Sequence, residues 1–359
     1  MFKNSTTFIG LDLGDKHSHV VILDSDGGLI EESRLPTTRA SFQRKFSTLG
    51  GSRVAMEVGT HSRWASYLLK ELGQEVLVAN ARKLRAIYSN PRKGDRADAE
   101  TLARLARLDP ELLSPIHHRS PQAQADLAVL RSRDAVVRSR SLLVNHARSI
   151  VKSCGARLPS CSADSFAHKV APDIPESLRP ALAPILDTIA CLTQQIRGYD
   201  QRIEALSRES YPETERLRRI SGVGPLTALA FVLTLEDASR FRKSREVGPA
   251  LGLVPRTDQS GDRDPQLRIT KTGDSHLRRL LVGSGQYILG PFGPDCDLRR
   301  WGLRLAERGG KNAKKRAVVG VARKLAILLH HLWKKGEIYD PFYQSDTNAV
   351  GPLAASEAG

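Results

Sequence analysis

Cysteine, aromatic residues and long apolar runs are all scarce in this chain, and each scarcity removes a class of protein. The four cysteines, Cys154, Cys161, Cys191 and Cys296, show no CxxC spacing. Neither a disulfide-stapled fold nor a structural zinc site is expected from them; ordinary reduced thiols are. Aromatics make up 5% of the residues, which argues against a single-strand binder built on stacking platforms. No apolar run approaches the length of a membrane span, and the polar start after Met1 carries no signal-peptide core. Acidic residues are in deficit: 39 Asp and Glu face 55 Lys and Arg, a formal net charge of +16. The cations run along the whole chain instead of filling one tail, which points to a polyanionic partner met through duplex or backbone-tracking contacts. At 359 residues there is room for two or three domains with real cores. A cytoplasmic protein that meets nucleic acid, nucleoid-associated in use in a bacterium, and no membrane, is the expectation.

Among the few acids, four stand out by position. Gly10-Leu11-Asp12 ends the apolar run Thr7-Phe8-Ile9, and Glu57 follows Val54-Ala55-Met56. Asp95 and Asp98 open a helical pattern in which Asp98, Leu102 and Leu105 recur at i, i+4 and i+7, so Asp98 should point the same way as the buried stripe. A buried unpaired carboxylate is costly, so acids at strand ends are poor core residues. Each alone reads as a surface acid or a helix cap. As a set in strand, strand, helix order they would repel one another unless a divalent cation offset the charge, and hard oxygen donors suit Mg²⁺, with Mn²⁺ as the alternative.

The elements between these acids are readable from apolar periodicity. A three-strand meander covers Thr7–Asp12, His19–Asp24 and Leu29–Leu35, with a turn at Asp26-Gly27-Gly28. A helix over Ala40–Leu49, a strand Val54–Glu57, a helix Ser62–Leu72 closed by Gly73 and a further parallel-type strand Glu75–Ala79 follow, before the acidic helix near Asp95. That β-β-β-α-β-α-β-α order, with acids at the first strand, the fourth strand and the last helix, is the layout of ribonuclease-H-like nucleases. Sugar kinases and chaperone ATPases share this core, but they would need two phosphate loops and a glycine-rich adenosine motif, and the chain has neither.

From Ser120-Pro121 a long helix is expected to about Lys152, with Leu127, Leu130, Val137, Val144 and Val151 on one seam and Arg131, Arg133, Arg138, Arg140, Arg148 and Lys152 on its other faces. Residues 153–180 read as a Ser/Pro loop. Ile185, Ile189, Leu192, Ile196, Tyr199, Ile203 and Leu206 then form a heptad seam, fit for an intramolecular hairpin, an oligomerising coiled coil, or both. Gly222-Val223-Gly224 reads as a tight turn between helices whose backbone N–H groups suit a DNA phosphate. Ser260 sits in a polar loop flanked by Arg256, Arg268 and Lys271. On residues alone, a loop serine is a turn residue far more often than a nucleophile. Arg278 and Arg279, then Lys314, Lys315 and Arg316, add cationic groups for salt-sensitive phosphate contacts ahead of a helix over Val318–Leu332.

Taken in order, Gly10-Leu11-Asp12, Met56-Glu57, Lys93-Gly94-Asp95-Arg96-Ala97-Asp98-Ala99, Gly222-Val223-Gly224, Gly252-Leu253-Val254-Pro255, Ser260-Gly261, Ile269-Thr270-Lys271-Thr272-Gly273-Asp274 and Leu277-Arg278 closely resemble the DEDD transposases of the insertion sequence 110 family. The resemblance spans about residues 6–343 and departs from the family at Gly94, usually Thr, and at Gly273-Asp274, usually Gly-Asn. It implies a RuvC-like (ribonuclease-H fold) α/β domain over 1–115, a helical coiled-coil region over 116–210 and a mostly α-helical transposase domain with a helix-hairpin-helix over 211–345, while the small, polar residues after Tyr343 read as a disordered tail over 346–359. It implies that Asp12, Glu57, Asp95 and Asp98 hold Mg²⁺ and that Ser260 attacks DNA to form a phosphoserine link. It further implies double-stranded DNA partners (element ends and target), a structured guide RNA encoded by the element, and a homo-oligomer from dimer to tetramer. Acids and serine lie in different domains, so a site composed across domains or subunits is expected. The expected function is a DNA transposase-recombinase. The alternatives are a Holliday-junction resolvase-like nuclease using only the acids, and a non-catalytic nucleic-acid binder.

Overall fold

A computed structural model describes residues 7–80, 94–260, 265 and 267–343. Lys93, Gly261 and the tail expected over 346–359 lie outside the described residues. The chain divides into two compact units, residues 1–118 and 119–359.

The first unit is built on a five-stranded sheet: β1 (Phe8–Leu13), β2 (His17–Leu23), β3 (Leu29–Pro36), β4 (Arg53–Glu57) and β5 (Glu75–Ala79), in the order β3-β2-β1-β4-β5. The meander β1-β2-β3 is antiparallel, whereas β4 and β5 run parallel to β1. Side chains alternate across a strand, and β1 uses both faces. Ile9 and Leu11 pack with Phe42 and Phe46 of α1 (Arg39–Phe46) and Leu69 of α2 (Ser62–Glu71). Phe8 packs on the other face with Val21, Leu23, Ala99 and Ala103, the last two from α3 (Asp95–Leu108). The expected element order is therefore present. α1 is shorter than read, ending at Phe46, because the segment after it turns through Ser47 toward Gly50.

The second unit is helical: α4 (Pro121–Ser153), α5 (Phe166–Val170), α6 (Arg179–Glu209), α7 (Glu213–Arg218), α8 (Pro225–Leu235), α9 (Val247–Ala250), α10 (Ser275–Leu289), α11 (Asp297–Glu307) and α12 (Ala313–Lys335). Ser120 caps α4 by accepting from the Ala123 N–H, with Pro121 in the first turn. α4 and α6 pack as a hairpin around Ala147, Val151, Leu182, Leu186 and Ile189. α8 is buried from Thr227 to Leu235 and forms the centre of a core shared with α10 and α12.

Three expectations for this unit need correction. Residues 153–180 are not all loop, since Phe166 and Val170 are buried on α5. The buried row of α6 is Leu182, Leu186, Ile189, Thr193, Ile196, Ile203 and Ser207, so Ile189, Ile196 and Ile203 of the expected seam are buried, whereas its Ile185, Leu192, Tyr199 and Leu206 form a half-buried flank. A helix whose apolar stripe is broad leaves the central line of contact open until the partner helix is known. Arg140 lies in the α4 seam, not on an outer face: it is buried and donates to Asp164 at 2.6 Å and Thr193 at 3.1 Å. The four cysteines are free. Among the described residues no helix is long and apolar enough to cross a membrane.

Candidate functional site

Glu57, Asp95 and Asp98 come near Asp12 because of how β1 is paired and covered. Asp12 is two residues beyond Gly10, so both face the same side of the sheet. Across the antiparallel pair Asp12 stands opposite His19 of β2. On the parallel side Gly10 aligns with Ala55 and Leu11 with Met56, so Glu57 lies beside Asp12. Ala55 packs against Leu102 and Ala106 of α3, which sets this face as the one α3 covers.

Gly10 lets α3 come that close. A Cβ at this position would lie 1.7 Å from the Ala99 carbonyl oxygen and 2.6 Å from the Ala103 nitrogen. Only glycine avoids the clash. Arg53 adds a tie from below, donating to the Ala106 carbonyl at 3.2 Å and to Glu75 at 3.0 Å. At the other end Arg96 pairs with Glu32 at 3.0 Å and His19 with Asp95 at 3.6 Å. So held, the first turn of α3 brings Asp95 and Asp98 toward Asp12, with both acids at the positive end of the helix dipole.

The electrostatics register this convergence. Burial, then the charges of Asp95, Asp98 and Glu57, push the Asp12 carboxyl up to about 6 from 3.8, with His19 acting in the opposite sense. Asp95 is exposed, whereas Asp98, Glu57 and Asp12 are half-buried. Among the described residues no three or more His, Cys, Asp or Glu side chains are drawn together as a ready-made ion cage. The carboxylates of Asp95, Asp98 and Glu57 instead stand near enough for their charges to act on Asp12. Their donor atoms are hard carboxylate oxygens without a thiolate, a set suited to Mg²⁺ or Mn²⁺. His19 was not singled out in the sequence; only strand register shows that it faces Asp12.

In the second unit, Ser260 is exposed and follows the irregular residues 256–259, which lead out of a short backbone ribbon. The Arg256 N–H donates to the Arg268 carbonyl at 3.0 Å, and Thr270 N–H to the Val254 carbonyl at 2.9 Å. Arg256 and Arg268 are thus opposed across the ribbon, and both are exposed, as is Lys271. Gly252 and Gly273, both at positive φ, close the base: a Cβ on Gly252 would lie 2.3 Å from the Thr272 nitrogen. Arg278 is committed to the same base, donating to the Leu251 and Thr272 carbonyls at 3.0 and 2.6 Å. Arg279 pairs with Asp134 of α4 at 2.8 Å, holding that carboxyl below its usual range.

Gly222 takes φ +88° in the turn before α8, and Gly224 is exposed at the helix cap. Lys314, Lys315 and Arg316 are exposed in the first turn of α12, which starts earlier than periodicity indicated because Ala313 and Ala317 are its first buried residues.

Comparison with known proteins agrees with this build. Residues 9–155 match the DEDD transposase family model of IS110, described as "Transposase", and residues 214–288 match the "Transposase IS116/IS110/IS902 family". A "Probable family 20 transposase" of Pseudomonas aeruginosa is 29% identical over 93% of this chain and 98% of the relative. The "Transposase for insertion sequence element IS1328" of Yersinia enterocolitica is 29% identical over 77% of this chain and 82% of the relative. The "Transposase for insertion sequence element IS1111A" of Coxiella burnetii is 27% identical over 92% and 90%. An α/β unit followed by a basic helical one, with these relatives, defines an insertion-sequence transposase, an enzyme of DNA cleavage and transfer. Within that class the chain belongs to the IS110 family.

Proposed function

We propose that this transposase recombines DNA through two centres: the carboxylates Asp12, Glu57, Asp95 and Asp98 of a ribonuclease-H-like first unit, and the Ser260 hydroxyl. The observation that carries the reading is the raised Asp12 carboxyl, driven by burial and by the other three acids from two strands and a helix. The four side chains would hold Mg²⁺ or Mn²⁺, which when bound supplies polarisation of the scissile phosphate and offsets charge on the leaving oxygen.

The chain's own residues do the rest. Asp12 and Glu57, fixed on adjacent strands, set the direction from which the phosphate is approached. The Ser260 oxygen attacks phosphorus, forming a serine–phosphate ester as the bond to one DNA sugar oxygen breaks. The hydroxyl gives up its proton and the departing sugar oxygen takes one, so one ester replaces another and rejoining draws on no outside energy source. Arg256, Arg268 and Lys271 balance charge on the pentavalent phosphorus. Gly222 and Gly224, as a helix-hairpin-helix, and Lys314, Lys315 and Arg316 grip backbones. A structured element-encoded RNA would choose the sequence by base pairing while the protein holds phosphates. The half-buried flank Leu192 and Tyr199 supports a coiled-coil homo-oligomer, dimer to tetramer.

The test is recombination of two plasmids, one bearing the element's joined ends, followed by denaturing electrophoresis of the protein. Wild type should give recombinant plasmid and a DNA-linked protein band. Asp12→Asn and Ser260→Ala should each abolish the recombinant, and Ser260→Ala the band, with DNA retention unchanged. A covalent band that survives Ser260→Ala would reject the serine. Loss with Asp12→Asn alone would leave a nuclease.

A further inference from the structure

The second unit contains a cavity of about 620 Å³ whose lining includes neither Ser260 nor any of the four acids. It lies between the segment ahead of α9, the face of α12 and the strap that follows α12. Its floor is Leu298, Ile327 and Leu328, and the strap supplies Tyr339 and Tyr343. Lys243, Arg245 and Lys324 line it with positive charge, and Asp297 and Asp340 stand among them. The volume falls within the range of about 300–1,000 Å³ of pockets that take a small planar ligand.

Lys324 is the informative group. Its ammonium lies 4.5 Å from the centre of the Trp301 ring, half-buried on α12. Among the described residues no carboxylate forms an ion pair with it. Burial pushes its pKa down and Arg304 adds to the effect, with Asp297 opposing. A desolvated cation without an ion-pair partner gains when an anion arrives. The anion must be joined to something apolar and flat, because the floor is aliphatic and the strap aromatic. A nucleotide has both parts: a phosphate for Lys324, Lys243 and Arg245, and a base to stack on tyrosine, with amino donors for Asp297 or Asp340.

We infer that this cavity receives one unpaired nucleotide of DNA, extruded from or unstacked beside the duplex that the enzyme handles. A base still within its stack cannot present a face to the tyrosines, and extrusion is least costly for a base that is already unpaired. The site thereby recognises a distorted or partly opened duplex. This inference rests on the transposase assignment and the cavity, and is independent of the roles given to the acids and Ser260.

The experiment uses the full chain and a fluorescent 20-base-pair duplex carrying one bulged 5-iododeoxyuridine. The controls are the same duplex with that nucleotide paired and an RNA duplex with a bulged 5-iodouridine. The bulged DNA should bind about tenfold more tightly than the paired DNA, and ultraviolet cross-links should map to the peptide holding Tyr339 and Tyr343. Tyr343→Ala, an exposed position chosen so that folding is unaffected, and Lys324→Gln should each remove most of that preference while leaving paired-duplex affinity within about twofold. Equal binding of bulged and paired DNA, cross-links elsewhere, a preference for the RNA bulge, or an equal loss on both DNAs in Lys324→Gln would each overturn the inference.

Discussion

Asp12 is the residue at which the fold and the chemistry pull in opposite directions. Its carboxyl titrates near 6 instead of 3.8 because burial and three neighbouring acids disfavour the charge. A carboxyl with a raised folded pKa stabilises the fold fully below its ordinary value and loses that contribution as pH rises through the raised one. Asp12→Asn should therefore be more stable than wild type above pH 6 in the cation-free protein, by about 1 kcal/mol after allowing for solvent screening of a half-buried group. Below pH 3.8 the two should be equal. Urea titrations in a chelator at pH 7.5 and 3.5 measure both. Gly10 is its structural counterpart. A methyl group there meets the Ala99 carbonyl, which belongs to a helix backbone and cannot swing aside. Gly10→Ala should destabilise by about 2 kcal/mol or more and should lower the Asp12 pKa as α3 lifts away, observable by NMR titration of the carboxyl.

At the scale of elements, α12 begins with three cations in the turn where the helix dipole is positive. Cations there are unfavourable by a few tenths of a kcal/mol each unless an anion sits against them. Lys315→Glu should thus raise unfolding free energy by about 0.5 kcal/mol while weakening DNA binding. The slope of log affinity against log salt should fall by about one unit, the signature of one lost phosphate contact. A charge change that stabilised the fold without altering the salt slope would place Lys315 off the DNA. The same scale shows what was legible in the sequence. Strand alternation and the caps Ser120-Pro121 gave element order and the start of α4, because both signals are local. Three features were not legible: His19 opposite Asp12, the buried Arg140 and the shift of the α6 contact line. Each depends on which element packs alongside, and one-dimensional periodicity carries that only as a range of faces. Gly10 could be read as the end of a strand, but not as the seat of α3.

For the whole molecule, the net charge of +16 and the exposed Arg256, Arg268, Lys271 and α12 cations make DNA affinity a matter of counterion release. Affinity for a random duplex should drop by about 10³ or more between 50 and 200 mM salt if six or more phosphates are engaged. In the proposed mechanism the two units divide the work: the α/β unit presents oxygen donors, and the helical unit presents cations and a hydroxyl. The claim on which this division depends is that Asp12, Glu57, Asp95 and Asp98 act together on one divalent cation. Calorimetric titration of the full-length protein with Mn²⁺ at pH 7.5 tests it most directly. Saturable binding of Mn²⁺, weakened at least about tenfold in both Asp12→Asn and Asp98→Asn without change in the circular dichroism spectrum, is the predicted result. Binding that is unchanged in either variant would contradict it.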